Sequence, residues 1–477
     1  CRQPRPMDEQ REVYRAIDLA LRVGEVVMSS GAGASDVAAT MLAVTSACDL
    51  RGCTIAVNFT TLSVSYQSAP DAPPETHMRV VQYRGYDYAL LTEVDHLVRD
   101  LAVGQVDRTE ASRRLNEVTS VARPYPRWAV IVSSGLLAAG AAMMLGGGPL
   151  VVAITFVTTI CVDLVIRQLA RRRIPAFYQQ VLGALIATGV ALSLHAADAP
   201  VDPDLIVASG IIMLLSGIAL VGAVQDALTN NYVTASARMF EVLLLTGGII
   251  AGITIGLTIG QKLDVEFFVS STVTTWSELP TTLLGGAIVA IAFAYGSYTP
   301  LRALIPIGIT GLLGQLVYQA SVQWDVGPAL SSGAAALVVG VVSYSLAGRV
   351  RVPPLVVVVS GIVPLLPGLI IYDGLLQLLT QDNVYGLFTL LSAASIGVAL
   401  ASGVILGEYV AQPLKREARR LETRLAGPRL VGPLRPLANR KTRRAARRRR
   451  SSTHEPRPSR HDRTYSTGSQ EVDRKRG

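Results

Sequence analysis

Apolar residues gather into ten long runs between Ala129 and Ala411, each close to the ~20 residues that a helix needs to cross a bilayer. They lie near 129–147, 149–166, 176–196, 204–224, 239–260, 281–298, 301–321, 329–347, 352–372 and 386–411. The stretch ahead of them follows other periods. Apolar positions recur at helical spacing over Glu9–Ser29 and Ser35–Cys48, whereas Thr54–Phe59, Thr61–Tyr66 and Met78–Tyr83 read as strands. Helical spacing returns over Tyr88–Val103 and Arg108–Arg123, and Ser35 is the expected cap of the second helix. The pattern predicts an α-helical polytopic membrane protein of about ten transmembrane helices, preceded by a soluble α+β domain.

The loops add a direction. Those after the second, fourth, sixth, eighth and tenth runs carry Arg167 with Arg171–Arg173, Arg238, Arg302, Arg349 with Arg351, and Lys415 with Arg416. Those after the third, seventh and ninth hold Asp198, Asp202, Asp204, Asp325, Asp373 and Asp382 without a Lys or Arg. The loop after the fifth has Lys262 alone against Asp264, Glu266 and Glu278. Basic residues mark the cytoplasmic side, so the pattern predicts a multi-pass protein of the cytoplasmic membrane with both termini inside. Trp128, Trp276 and Trp324 fall at predicted helix ends, where the interface favours indole.

The ten runs divide five and five around the loop 262–282. Five is odd, so the second set enters the membrane in the opposite sense, as an inverted repeat requires. Ser216-Gly217-Ile218 in the fourth run and Ser360-Gly361-Ile362 in the ninth are the expected matching points. The predicted divisions are a cytoplasmic α+β domain at 1–124, five-helix modules at 125–262 and 263–412, and a basic tail at 413–477.

Charge separates that tail from the rest. The chain carries net +9, yet from Pro413 onward there are 21 Lys/Arg against 6 Asp/Glu, so the remainder is net acidic. A tail this polar cannot bury enough surface to fold, and it predicts contact with anionic lipid headgroups. No aromatic platform accompanies its arginines, which argues against a specific nucleic-acid partner. Cys1, Cys48, Cys53 and Cys161 form neither a CxxC pair nor a metal spacing, so no metal or other cofactor is expected. Nothing before Met7 has the apolar core of a signal peptide.

Ionisable groups inside apolar runs are costly, and each asks for a reason. Asp163 lies one turn before Arg167 and reads either as that arginine's ion-pair partner or as a proton-coupling carboxylate. Glu408, late in the tenth run, is the second coupling candidate. Asp226, Asn230 and Asn231 cluster near Arg238 at the end of the fourth run, as a solvated loop or a cytoplasmic vestibule. Glu241 is expected to open the fifth helix, where the dipole favours a carboxylate. Pro364 and Pro367 interrupt the ninth run, as a kink or as the break that lines a polar cavity; Asp373 follows them. The loop Ser29–Ala34 lacks the Gly-Lys-Ser/Thr of a phosphate-binding loop, and His77 and His96 have no triad spacing with Ser30 or Asp36. A gating or regulatory role suits the N-terminal domain better than catalysis.

Several stretches together resemble the threonine/serine exporter family of bacteria. They are Gly24-Glu25-Val26-Val27-Met28-Ser29-Ser30-Gly31-Ala32 with the helix through Met41, the strands Val57–Tyr66, Arg79-Val80-Val81, and the helix from Asp87. The stretch Ser216–Asp226 with Arg238 and Glu241, and Pro364-Leu365-Leu366-Pro367-Gly368, resemble the two membrane modules. The resemblance covers residues 9–412 and implies export of L-threonine and L-serine driven by the proton motive force, with amino acid, protons and membrane lipids as partners and room for a homo-oligomer. A related two-chain system linked to dicarboxylate export keeps that alternative open, and an enzyme anchored by its membrane helices is the reading from a different class.

Overall fold

The computed structural model describes residues 6–50, 52–68, 71–81, 85–121, 123–215, 217–261, 278–380 and 383–425. Of the predicted tail 413–477, residues 413–425 continue the last helix, contrary to the expectation that the tail does not fold; the rest of it, Trp276 and the charged loop 262–277 lie outside the described residues. The described residues up to 416 make up one compact unit.

The N-terminal elements follow the predicted order. Helices α1 (Pro6–Ser29) and α2 (Ala34–Ala47) precede strands β1 (Thr54–Val57), β2 (Thr61–Tyr66) and β3 (Glu75–Val80), and α3 (Tyr88–Val103) and α4 (Arg108–Ser120) follow. The strands form an antiparallel sheet in the order β1-β2-β3, with Val64 opposite both Ile55 and His77. Alternation has the expected effect: Leu62 and Val64 of the central strand are fully buried against α1 and α2. Asp87 caps α3 by accepting from the Leu90 amide at 3.1 Å, and Gly104 stops it in the left-handed conformation at φ 76°.

This layer shares a core with the helices that follow. Ala290, Ala294, Ala303, Ile307, Val356 and Val357 belong to the same buried cluster as Ile17, Met41 and Tyr88. The Tyr88 amide donates to the Ser297 carbonyl at 2.9 Å, Tyr86 meets the Phe293 ring edge-on at 5.7 Å between centroids, and Tyr125 stacks on Tyr295 at 4.4 Å.

The chain then runs through α5 (Arg127–Met144), α6 (Pro149–Arg171), α7 (Ala176–Ala196), α8 (Pro203–Gly210), α9 (Gly217–Leu228) and α10 (Tyr232–Gln261). After the undescribed loop come α11 (Leu279–Gly296), α12 (Leu301–Gln323), α13 (Pro328–Val350), α14 (Pro354–Ile362), a 3-10 turn at Val363–Leu365, α15 (Gly368–Thr380) and α16 (Asn383–Leu425). Eight of these helices are long and apolar enough to cross a membrane. The fourth and ninth predicted runs are not single helices: each splits, into α8 with α9 and α14 with α15. Proline explains the second split, because Pro364 removes a backbone donor and clashes with the turn before it. No proline marks the first split, between Gly210 and Gly217.

The second set of helices repeats the first at a nearly constant interval. Starts of α5 and α11, α6 and α12, and α7 and α13 are 152 residues apart; those of α8 and α14, α9 and α15, and α10 and α16 are 151 apart. Contacts repeat too. A methyl group on Gly252 of α10 would lie 2.3 Å from the Val181 carbonyl oxygen, 2.9 Å from Ala184 Cβ and 3.1 Å from the Leu185 nitrogen. On Gly403 of α16 it would lie 2.3 Å from the Gly333 carbonyl oxygen, 2.9 Å from Ala336 Cβ and 3.1 Å from the Leu337 nitrogen. Gly210 faces Ala187 and Thr158, and Gly361 faces Val339 and Thr310, again at equivalent positions. This register aligns Ser360-Gly361-Ile362 with Ser209-Gly210-Ile211, not with the expected Ser216-Gly217-Ile218. Each triplet precedes its break, so the true partner lies one break-length earlier in the chain.

Candidate functional site

The two breaks touch. Cβ positions show it: one built on Gly217, the first residue of α9, would meet Leu366 at 3.2 Å, and one on Gly368, the first of α15, would meet Leu215 at 2.9 Å. Around this contact lies a cavity of about 980 Å³, lined by α5, α7 to α16 and the loop of the N-terminal layer that carries Gly31 and Gly33. Apolar side chains supply most of its wall. Among the described residues that line it, the charged ones are Asp36, Glu241, Asp373, Glu408 and Arg238: four carboxylates and one guanidinium.

Arg238 is not free to meet a ligand. Its guanidinium lies 3.2 Å from an Asp226 oxygen, and Asp226 is fully buried. The other Asp226 oxygen accepts from the Ala34 amide at 2.9 Å, and Arg238 donates to the Ala32 carbonyl at 3.1 Å. Asp226 thus stands at the start of α2, where an unpaired amide and the positive helix end favour a carboxylate. Sequence pattern assigns that cap to Ser35. In the structure the cap position is Gly33, two residues earlier, and the capping oxygen comes from α9, 192 residues away. A side chain at Gly33 would crowd it, since a Cβ there would lie 3.3 Å from that oxygen.

Asp36, in the first turn of α2, lines the same cavity and is exposed. The protein surrounding it and the nearby Glu408 and Asp226 carboxylates raise its pKa to about 6, burial being the largest cause. Glu408 is half-buried and hydrogen-bonded to Tyr344.

The remaining candidates separate. Asp163 is buried and paired with Arg167 at 2.7 Å, and it does not line the cavity. Asn230 and Asn231 form the turn between α9 and α10: Asn230 takes a left-handed φ of 64°, and Asn231 donates to the Thr229 carbonyl. Neither lines the cavity. Glu241 does line it, but α10 begins at Tyr232, so the dipole at a helix start does not account for this carboxylate. Pro364, Pro367 and Asp373 all line the cavity along the second break. Sequence reading passed over Gln315 and Gln319, four residues apart in α12, both buried and both in the wall. Two amides on one face of an apolar run were the available signal.

Among the described residues no group of His, Cys, Asp and Glu could hold a metal ion. Ser30 donates to the Val26 carbonyl at 2.8 Å, and His77 meets Tyr14 edge-on.

Comparison with known proteins assigns the arrangement to a family. A family model described as "Putative threonine/serine exporter" matches residues 18–260, and a second, "Threonine/Serine exporter, ThrE", matches 282–410. The chain belongs to the threonine/serine exporter family. It is 37% identical to a "Probable threonine/serine exporter" of Mycobacterium tuberculosis, over 87% of this chain and 80% of that one. To the "Threonine/serine exporter" of Corynebacterium glutamicum it is 33% identical, over 87% of this chain and 86% of the relative. It also matches the "Probable succinate transporter subunit YjjP" of Escherichia coli at 28% identity, over 37% of this chain and 68% of that one. No solved structure matches it. Family and helices together make it a multi-pass membrane protein of a transporter family, and the boundary between the two family models falls in the undescribed loop.

Proposed function

We propose that this protein exports L-threonine and L-serine across the cytoplasmic membrane, using the proton motive force. The charge of the cavity carries the reading. Four carboxylates face one arginine that is already paired with Asp226, so the wall suits protons and a zwitterion with an ammonium group. A dicarboxylate would need unpaired cations. Arg302, the other candidate, is exposed and donates to the Arg351 carbonyl outside the cavity, so among the described residues no unpaired cation for a dicarboxylate lines it.

The repeated contacts support two five-helix modules, 125–262 and 263–412, inserted in opposite senses with both termini inside. Alternating access then consists of these modules rocking about the adjoining breaks. On this reading the N-terminal layer, cytoplasmic and equivalent to the predicted domain 1–124, covers the inner end, where its loop 31–34 holds the Asp226–Arg238 pair. Opening inward requires that clasp to separate. Glu408 and Asp36, which share the inner wall, are the groups best placed to carry the proton; Asp163 is held by Arg167.

Efflux from cells that lack their own exporters, loaded with a threonine-containing dipeptide, tests this. Faster threonine and serine release that stops when a protonophore collapses the gradient is the expected result. Unchanged efflux from well-expressed protein would overturn it.

A further inference from the structure

The meeting point of the two breaks holds more than a hinge. Helices α9 and α15, of 12 and 13 residues, both begin there. A helix start presents amides without intrahelical acceptors and the positive end of the dipole, which suits an anionic group. The same breaks end α8 and α14, and Pro364 brings no N–H to the carbonyl of Ser360, so acceptors lie close to those donors. A carboxylate and an ammonium on one small molecule match this pairing.

An independent observation points to a ligand at the same place. Gln315 is only 3% exposed, lines the cavity, and its amide oxygen has no hydrogen-bond partner among the described residues. It stands against the second break: a Cβ on Gly286 would lie 3.2 Å from Gln315 Cβ and 3.7 Å from Pro364 Cβ. Buried acceptors are nearly always paired, and leaving one unpaired is costly. The repeat sharpens the point. At the 152-residue interval Gln315 and Gln319 occupy the positions of Asp163 and Arg167, which bond each other at 2.7 Å. In the first half the two groups satisfy themselves; in the second, neutral amides face the cavity.

We propose that the adjoining breaks form the amino-acid site, on the export reading given above. The first-turn amides of α9, and those of α15 beyond Gly368 (whose own amide donates to the Leu366 carbonyl at 2.7 Å), hold the carboxylate, the carbonyls that end α8 and α14 take the ammonium, and Gln315 Oε1 accepts from the side-chain hydroxyl. Gln315 is therefore the residue that selects threonine and serine over amino acids of the same shape without a hydroxyl.

Full-length protein in proteoliposomes tests the assignment with three probes: L-threonine, L-2-aminobutyrate (the same skeleton lacking the hydroxyl) and L-threonine amide. Wild type is expected to favour threonine over 2-aminobutyrate and to reject the amide. Gln315→Leu should raise the KM for threonine roughly 10- to 100-fold, leave that for 2-aminobutyrate within about twofold, and so erase the preference. If Gln315→Leu does not fold, judged by its melting temperature, the same ratio read on Gln315→Asn decides, with a partial loss expected. A full threonine preference retained in the variant overturns the role of Gln315, and equal carriage of the amide overturns the carboxylate site. Wild type that carries neither threonine nor serine overturns the export reading and this site together, whereas active wild type with an unaltered variant overturns the site alone.

Discussion

The two halves of the helical region solve one packing problem with the same contacts and place different chemistry on them. Gly252 and Gly403 meet the same three backbone and side-chain positions at the same distances. Polar pairs at matching positions differ. Asp226 and Arg238 form a buried ion pair, while at the 151-residue interval Thr389 donates to the Gln377 amide oxygen at 2.8 Å. Asp163 and Arg167 are likewise replaced by Gln315 and Gln319. Shape is conserved between the halves because helices that approach within a carbonyl's width leave no room for a side chain. Charge is free to diverge because it depends on what lies beyond each pair. Asp226 and Arg238 each gain one further bond, from the Ala34 amide and to the Ala32 carbonyl. Such bonds, beyond the mutual attraction, are what a buried ion pair needs to offset its lost hydration.

Four predictions would break or sharpen that comparison. The largest effect is expected for Arg238→Met, which strands a fully buried carboxylate and should destabilise the fold by roughly 3–5 kcal/mol. Unfolding followed in detergent measures it, and a loss under 1 kcal/mol would mean that the pair does not hold the clasp together. Next, Gly252→Ala and Gly403→Ala each push a methyl against a backbone oxygen and should cost about 1–3 kcal/mol. Equal losses would support the repeat; a loss confined to one would show that the halves differ in tightness. Third, Thr389→Val removes a neutral, half-buried bond, with a cost of roughly 0.5–1.5 kcal/mol. A loss matching that of Arg238→Met would contradict the contrast between the two pairs.

The smallest effect is a pH dependence. Folding raises the Asp36 pKa from 3.8 to about 6, so the folded state disfavours the ionised carboxylate. Wild type should lose stability as pH rises through that window, and Asp36→Asn should not. The difference between them opens between pH 4 and pH 6 and stays constant above. Because this carboxylate still meets water, its size is about 1 kcal/mol or less. Melting temperatures of both proteins at the two ends of the window decide it; curves that stay parallel would remove Asp36 from the coupled acidic group.

How much of this was legible beforehand varies by element. Strands β1 to β3 and their flanking helices follow from alternation and helical spacing, since both periods report directly which face is covered. The break at Pro364 was legible only as an interruption: a proline cannot donate, yet Pro306 sits inside α12, so the residue alone does not decide between kink and break. The break before Gly217 was not. Ile211 to Leu215 are apolar residues that continue a helix as readily as they interrupt one, and only packing against Leu366 of the other half distinguishes the cases. Glu241 shows the limit from the other side. Its place in the cavity wall is visible in the structure, but the helix start inferred for it was wrong by about two turns of pattern that loops and helices share.

Taken alone, then, the chain determines that it must bury ten apolar runs, where the charged loops lie, and that proline interrupts the ninth as either a kink or a break. These depend on hydration and local sterics, which act residue by residue. Which groups face one another was decided only by the tertiary structure. Asp226 caps a helix 192 residues away, the two breaks adjoin, and Gln315 is left with an unpaired oxygen where they meet. Contacts of that kind depend on the positions of distant segments in space, for which neither hydropathy nor spacing along the chain carries a signal.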